Sequence, residues 1–252
     1  MGKNTFDLLV IGWIILGCLV LPIMLFVTVP YGRHTTNKWG TTISNKLGWL
    51  LMEIPALLIF IYFIVSGKAA LNSVVCIIVL FFTIHYINRS LIYPFKTRTK
   101  GKKMPLLIIF LAIFFNIANG FVNGYYLGTL QKQYCSAWLT DPRFIIGTIL
   151  FLTGMIINFN ADEKLIHLRK DMNNEYQIPY GGLFNRISCP NFFGEIIEWL
   201  GFAILCWSLP ALSFFIWTIC NLIPRALDHH RWYKKQFKNY PTDRKAVFPY
   251  LL

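Results

Sequence analysis

A carboxyl inside an apolar run is the first feature with chemical meaning. Glu53 lies in Trp49-Leu50-Leu51-Met52-Glu53-Ile54-Pro55 and is the only acid of its stretch. A carboxyl at such a depth is costly unless it is paired, protonated or turned to a polar cavity, so it is a functional candidate by default. The alternative is a structural hydrogen bond to another helix. His85-Tyr86-Ile87-Asn88-Arg89 crowds hydrogen-bonding side chains into the end of a second apolar run, with Tyr86 and Arg89 spaced i, i+3 on one face. A tyrosine hydroxyl can donate to a carbonyl oxygen as negative charge develops there, and a buried acid nearby would orient it. An aromatic and basic anchor at a membrane border is the competing reading of that segment.

Further along, polar residues recur at one-turn spacing where apolar helices begin or end. Asn158 and Asp162 stand i, i+4, as do Asn191 and Glu195. Amide and carboxylate groups on one helix face suit ribose hydroxyls or a carboxamide; helix caps and interhelical hydrogen bonds are the alternatives. Arg225, His229 and Tyr233 follow at i, i+4, i+8. A guanidinium, an imidazole and a phenol in one stripe make a cradle for phosphates, or equally an anchor to lipid headgroups. No G-x-G-x-x-G is present, so a Rossmann site is not supported.

The elements that must position these groups are membrane spans. Of the 252 residues 56% are hydrophobic and 14% charged, a poor match to soluble domains. Residues 8 to 29 form an uncharged run that as a helix would cross a ~30 Å hydrocarbon layer; no small-residue cleavage site follows it. Residues 47 to 65, 69 to 88, 104 to 123 and 143 to 160 are further candidates. The stretch 191 to 224 crosses either once or, broken near Ser208-Leu209-Pro210, twice. Charge decides: with two crossings, residues 30 to 46, 89 to 103, 161 to 193 and the tail from Arg225 share one side and hold 20 of the 24 Lys and Arg. The positive-inside rule makes that side cytoplasmic. The expectation is therefore an all-α, polytopic membrane protein of seven transmembrane helices, N-terminus outside and C-terminus cytoplasmic. Segments 101 to 104, 131 to 143 and 171 to 192 read as loops.

The formal charge of +13 follows from that topology and needs no nucleic acid. Six cysteines lie far apart without a C-x-x-C pair, so neither zinc nor a disulfide framework is indicated, and they read as buried small hydrophobes.

Taken jointly, the motifs resemble the steroid 5-alpha-reductase (3-oxo-5-alpha-steroid 4-dehydrogenase) family over nearly the whole chain. The likeness is strongest over 158 to 252, in Asn158-x-x-x-Asp162, Pro179-x-Gly181-Gly182-Leu183-Phe184, Asn191-x-x-Gly194-Glu195-Ile196-Ile197-Glu198-Trp199 and Trp207-Ser208-Leu209-Pro210-Ala211-Leu212. It extends to Tyr31-Gly32-Arg33-His34, Trp49 to Glu53, His85-Tyr86 with Arg89, and Asn119-Gly120 with Gly124-Tyr125-Tyr126. The fourth span departs from it, because 106 to 116 is uncharged where close relatives are expected to carry an arginine, and the basic run 96 to 103 aligns loosely. The resemblance implies a single reductase domain, 1 to 252, that uses NADPH to reduce the C4–C5 double bond of 3-oxo-Δ4 steroids. Glu53 and Tyr86 would polarise the 3-oxo group, and Trp49 would line the substrate pocket. Arg33, Arg89, Asn158, Asp162, Arg169, Asn191, Glu195, Arg225, His229 and Tyr233 would contact the cofactor. The expected partners are a steroid or related lipid and membrane lipids, with no metal and no nucleic acid, for a monomer in a bacterial inner membrane or endoplasmic reticulum. The rivals are a reductase of a polyprenal or an enoyl thioester, a membrane methyltransferase using S-adenosylmethionine, and a lipid-binding or transport protein without catalysis.

Overall fold

In hydrocarbon every backbone N–H and C=O has to be satisfied within its own segment, which makes helices of the apolar runs. The structure is a computed structural model that describes residues 1 to 30, 32 to 35, 39 to 97, 101 to 171 and 176 to 252, the side chains of 169 to 171 excepted. Its α-helices in chain order are α1 (Lys3–Phe26), α2 (Asn45–Ser66), α3 (Ser73–Ile87), α4 (Tyr93–Lys96), α5 (Leu106–Tyr125), α6 (Pro142–Asp171), α7 (Pro190–Cys206) and α8 (Leu209–Gln236). A π-helical turn, Asn88–Ile92, joins α3 to α4, and a second, Tyr126–Leu130, ends α5.

Among the described residues, six helical segments are long and apolar enough to cross a membrane: Lys3–Phe26, Asn45–Ser66, Ser73–Lys96, Leu106–Leu130, Pro142–Leu168 and Leu209–Gln236. The chain thus reads as a multi-pass membrane protein. The stretch 191 to 224 is indeed two helices. Trp207 takes a left-handed conformation (φ 44°), Ser208 is extended, and Pro210 stands in the first turn of α8, where its missing N–H would have had no helical partner. The 17 residues of α7 span about 25 Å at 1.5 Å per residue, at the short end for a crossing.

Several sequence expectations are corrected. Residues 101 to 104 do not form a simple loop: strand β2 (Lys103–Pro105) pairs antiparallel with β1 (Thr42–Ser44), Ile43 opposite Met104. The ladder runs on into both helix starts, since Asn45 N–H donates to the Lys102 carbonyl at 3.0 Å and Leu106 N–H to that of Thr41 at 2.9 Å. A pairing of three residues across sixty leaves no period in either segment. α6 extends beyond residue 160 to Asp171 and α8 beyond 224 to Gln236, so the tail from Arg225 begins as helix. All six cysteines are thiols, but only Cys189, Cys206 and Cys220 are buried; Cys18 and Cys76 lie on the outward faces of apolar helices and Cys135 in the irregular segment before Ser136.

The chain divides into two compact units, Met1–Val10 with Val29–Ile145, and Ile11–Thr28 with Ile146–Leu252. In the first, α5 presents Gly120, Gly124 and Gly128 to α2. A Cβ on Gly120 would stand 2.7 Å from the Ala56 carbonyl oxygen and one on Gly124 2.8 Å from that of Phe60, while Gly128 lies against the carbonyl of Phe63. Small residues are what let membrane helices approach, since lipid offers no hydrophobic drive between them. Phe60, Phe82 and Tyr86 continue the contact as a buried ring series with centroids 3.9 and 4.6 Å apart. Asp141 caps α6 at the edge of this unit, accepting from Arg143 N–H at 2.8 Å and from its guanidinium at 2.9 and 2.8 Å. That hydrogen bonding to Arg143 holds the Asp141 carboxyl down at about 2.

In the second unit, Gly147 and Gly154 of α6 meet Gly201 and Gly194 of α7 reciprocally; a Cβ on Gly194 would stand 2.5 Å from Asn158 N. α7 packs on α8 through Ile196, Leu222 and Ala226, with Trp199 tilted on Phe214 at 3.9 Å. The later part of α1 joins through Trp13, whose ring lies 4.6 Å from Trp217 and whose carbonyl accepts from Trp217 Nε1 at 2.9 Å.

Candidate functional site

In the first unit the glycine contacts that draw α5 onto α2 also bring amides beside Glu53. Asn116, Asn119 and Asn123 stand at i, i+3 and i+7 on α5, all buried. Asn123 Nδ2 donates to Asn119 Oδ1 at 3.0 Å, and Asn119 Nδ2 donates to the Tyr86 hydroxyl at 3.0 Å. The Tyr86 hydroxyl in turn reaches Asn116 Oδ1 at 3.5 Å, and Asn116 Nδ2 reaches Glu53 Oε2 at 3.5 Å and the Met52 carbonyl. Tyr86 is 3% exposed and Glu53 half-buried. The two residues expected to work together therefore share one polar cluster on three helices. Of its amides only Asn119 was singled out from the sequence, in a family motif and without a role, although the spacing of all three on one face of an apolar helix was a legible sign.

Arg89 follows on the π-helical turn, with Ser90 Oγ bonded to the Tyr86 carbonyl. Its guanidinium lies 4.9 Å from the Trp49 ring centroid and 5.0 Å from that of Tyr93, and those rings meet edge-on at 5.4 Å. Such contacts hold the guanidinium in place between the two rings. Arg33 is half-buried on the 3-10 turn Gly32–His34 of the same unit, and Tyr31 lies outside the described residues.

In the second unit the close α6–α7 approach assembles four of the expected residues. Asn158, 0% exposed and one turn beyond Gly154, donates from Nδ2 to the Asn191 carbonyl at 2.9 Å and reaches Glu195 Oε2 at 3.5 Å. Asn191 Nδ2 donates to Asp162 Oδ1 at 3.0 Å. Asn158 Oδ1 is buried and accepts no hydrogen bond among the described residues. A buried acceptor left so is expensive unless a ligand donor meets it, and a carboxamide N–H₂ is a donor of the right kind. Arg225, His229 and Tyr233 lie on α8; His229 stacks on Phe192 at 5.6 Å, and the buried Tyr233 stacks on Tyr240 at 5.3 Å. The packing of Tyr233 is that of a core ring, unlike a headgroup anchor. Arg169 falls where side chains are outside the described residues.

A further cluster was not anticipated. Arg244, 2% exposed, lies between the rings of Tyr180 at 4.7 Å and Tyr240 at 5.3 Å. Ser188 Oγ is within 2.6 Å of both His230 Nδ1 and the Tyr240 hydroxyl and donates to the Lys245 carbonyl at 3.1 Å. Burial pushes the Tyr240 phenol up despite those bonds. The segment 179 to 184 reaches this place through two left-handed glycines, Gly181 (φ 91°) and Gly182 (φ 58°), conformations that side chains resist. Carboxylates, amides and cations collected in this unit fit the hydroxyls, carboxamide and phosphates of a nicotinamide dinucleotide. Among the described residues no group of three His, Cys, Asp or Glu could hold a metal.

Comparison with known proteins agrees with this chemistry. Residues 102–252 match the family model described as 3-oxo-5-alpha-steroid 4-dehydrogenase. The chain is 40% identical to steroid 5-alpha-reductase DET2 of Gossypium hirsutum, covering 90% of this chain and 89% of that protein. It is 42% identical to 3-oxo-5-alpha-steroid 4-dehydrogenase 1 of Homo sapiens over 88% and 85% of the two chains, and 38% identical to the DET2 protein of Solanum lycopersicum over 99% and 98%.

Proposed function

The chain belongs to the 3-oxo-5-alpha-steroid 4-dehydrogenase family of oxidoreductases, and on that premise we propose that residues 1 to 252 act as one reductase domain that adds hydride and a proton across the C4–C5 bond of 3-oxo-Δ4 steroids. The observation that carries the reading is the buried Tyr86 hydroxyl, which accepts from Asn119 and shares a polar cluster with the carboxyl of Glu53. Because its oxygen already accepts from Asn119, the phenol hydrogen is directed away from Asn119, toward Asn116 Oδ1 at 3.5 Å, a long bond that a ligand carbonyl oxygen would replace.

When bound, NADPH would supply a hydride for the β-carbon of the enone; Asn158, Asp162, Asn191, Glu195, Arg225, His229 and Tyr233 of the second unit are the residues that would hold it, with Arg33, Arg89 and Arg169 as further candidates. Trp49 lines the lipid pocket. As charge gathers on the 3-oxo oxygen, Tyr86 donates to it, and the cluster containing Glu53 keeps the hydroxyl aimed. Buried amides need no reorganisation at that moment, so their dipoles stabilise the charge more than water would. The preference for NADPH over NADH rests on the cationic character of the face that carries Arg225.

The test is NADPH oxidation by the purified protein against 3-oxo-Δ4 steroids, polyprenals and enoyl thioesters. Steroid-dependent oxidation with a 5α-3-oxo product is expected. Turnover of a polyprenal or thioester alone would replace the substrate class, and no oxidation with any of them would sink the reductase reading. Tyr86→Phe should lower turnover on the order of a hundredfold, the scale of one lost oxyanion donor. Glu53→Gln should do likewise and the double variant hardly more, since the groups act as one unit.

A further inference from the structure

The bonds around Tyr86 run in one direction. Asn123 donates to Asn119, Asn119 to Tyr86, Tyr86 to Asn116, and Asn116 to the carboxylate of Glu53. Each donor in such a chain polarises the next, and the chain ends on a group that only accepts. The two steps next to Asn119 are 3.0 Å, whereas the two made by Asn116 are 3.5 Å, at the long limit of hydrogen bonding. The slack is therefore at Asn116. A hydroxyl held loosely on an amide oxygen can be taken over by a better-placed acceptor without a backbone change.

The same amide is fixed from behind. Pro55 has no N–H, which leaves the Leu51 carbonyl of α2 without its helical donor and loosens the turn beside Glu53. Asn116 Nδ2 donates to the Met52 carbonyl in that turn. It is 4% exposed in a helix otherwise rich in apolar residues. α2, α3 and α5 thus meet at one side chain, which has the two donor hydrogens and the acceptor oxygen needed to serve Met52, Glu53 and Tyr86 together.

We propose that Asn116 is a positioning residue of the carbonyl-polarising pair: in the resting protein it receives the Tyr86 hydroxyl hydrogen and holds Glu53, and it yields that hydrogen to an incoming carbonyl oxygen. This rests on the role given above to Glu53 and Tyr86. A residue that merely tied α5 to the Met52 turn of α2 would act on the fold regardless of the phenol; Asn116 acts through the phenol.

The experiment is a cycle on the full chain, reading kcat, KM, cofactor affinity and thermal stability for Asn116→Leu, Tyr86→Phe and the double variant. Asn116→Leu is expected to lower kcat roughly tenfold or more, the scale of a lost hydrogen bond that acts at a charged centre, with cofactor affinity kept. In the Tyr86→Phe background the same substitution should change kcat by less than about twofold, because the two residues are coupled. Equal losses in both backgrounds, or none in either, overturn the proposal while leaving the reductase reading intact. Wild-type turnover in Tyr86→Phe overturns the role of the pair, and Asn116 falls with it. Should Asn116→Leu fail to fold, Asn116→Ser keeps a donor but is too short to serve all three partners. In the same cycle it should show the same loss in the parent and the same near-silence beside Tyr86→Phe, and equal losses in both would again overturn the proposal.

Discussion

At the scale of single residues, chemistry was most legible where a polar side chain interrupts an apolar run. Glu53 and Tyr86 stand out on that ground, and they do share a cluster. The amides joining them did not stand out individually, since an asparagine in an apolar helix reads equally as an interhelical hydrogen bond. Arg244 was hidden for a different reason: in a tail holding seven of the basic residues, nothing marks the one that is buried between two tyrosine rings. Arg225 provides the direct test of the cofactor set. It lies half-buried on α8 one turn before His229, and Arg225→Ala should weaken NADPH binding about ten- to a hundredfold, the loss of one charge-assisted contact of ~1.5 to 3 kcal/mol. Binding can be followed by nucleotide fluorescence on the purified variant. Unchanged affinity in a folded protein would return the arginine to an anchoring role at lipid headgroups.

At the scale of elements, the polar clusters depend on glycines that let the helices approach. Asn158 reaches Asn191 and Glu195 because Gly154 and Gly194 allow the α6 and α7 backbones to touch. Gly154→Val would place its side chain against the backbone N of Glu198. Overpacking of that kind costs about 1–3 kcal/mol, and more where backbone cannot yield. The variant should lose thermal stability and cofactor affinity together. Gly12→Ala is the control: nothing lies within 4 Å of its Cβ position, and a helical Gly→Ala exchange is favourable by roughly 0.5–1 kcal/mol. A Gly154→Val protein as stable as its parent, with unweakened NADPH binding, would mean that this helix contact does not set the cofactor site. Periodicity located these helices within a few residues at most ends. It could not say that the Gly147–Gly154 and Gly194–Gly201 pairs face each other, because spacing within one helix carries no information on which neighbour it meets.

At the scale of the whole molecule, topology turns on α7. With α7 crossing, seven spans put the N-terminus outside and the C-terminus in the cytoplasm, and 20 of the 24 Lys and Arg share the cytoplasmic side. Were α7 to enter without crossing, the six longer segments would leave both termini on one side. Reporter fusions at the two ends separate these cases: opposite sides are expected, and a C-terminal reporter outside the cytoplasm would end the seven-span arrangement. The amino-acid sequence by itself determined the membrane class, the polar residues worth attention and the family, and its charge pattern favoured the break near Ser208-Leu209-Pro210 that the structure shows. These follow from local composition, from motif spacing, and from charge that the membrane sorts by side. Only the tertiary structure decided that β1 pairs with β2, that Arg244 is buried, and that Asn116 joins Glu53 to Tyr86. Each is a contact between segments far apart in the chain. Which donor meets which acceptor there is set by close backbone approach at glycines and by the need to satisfy buried polar groups, neither of which leaves a period in the sequence.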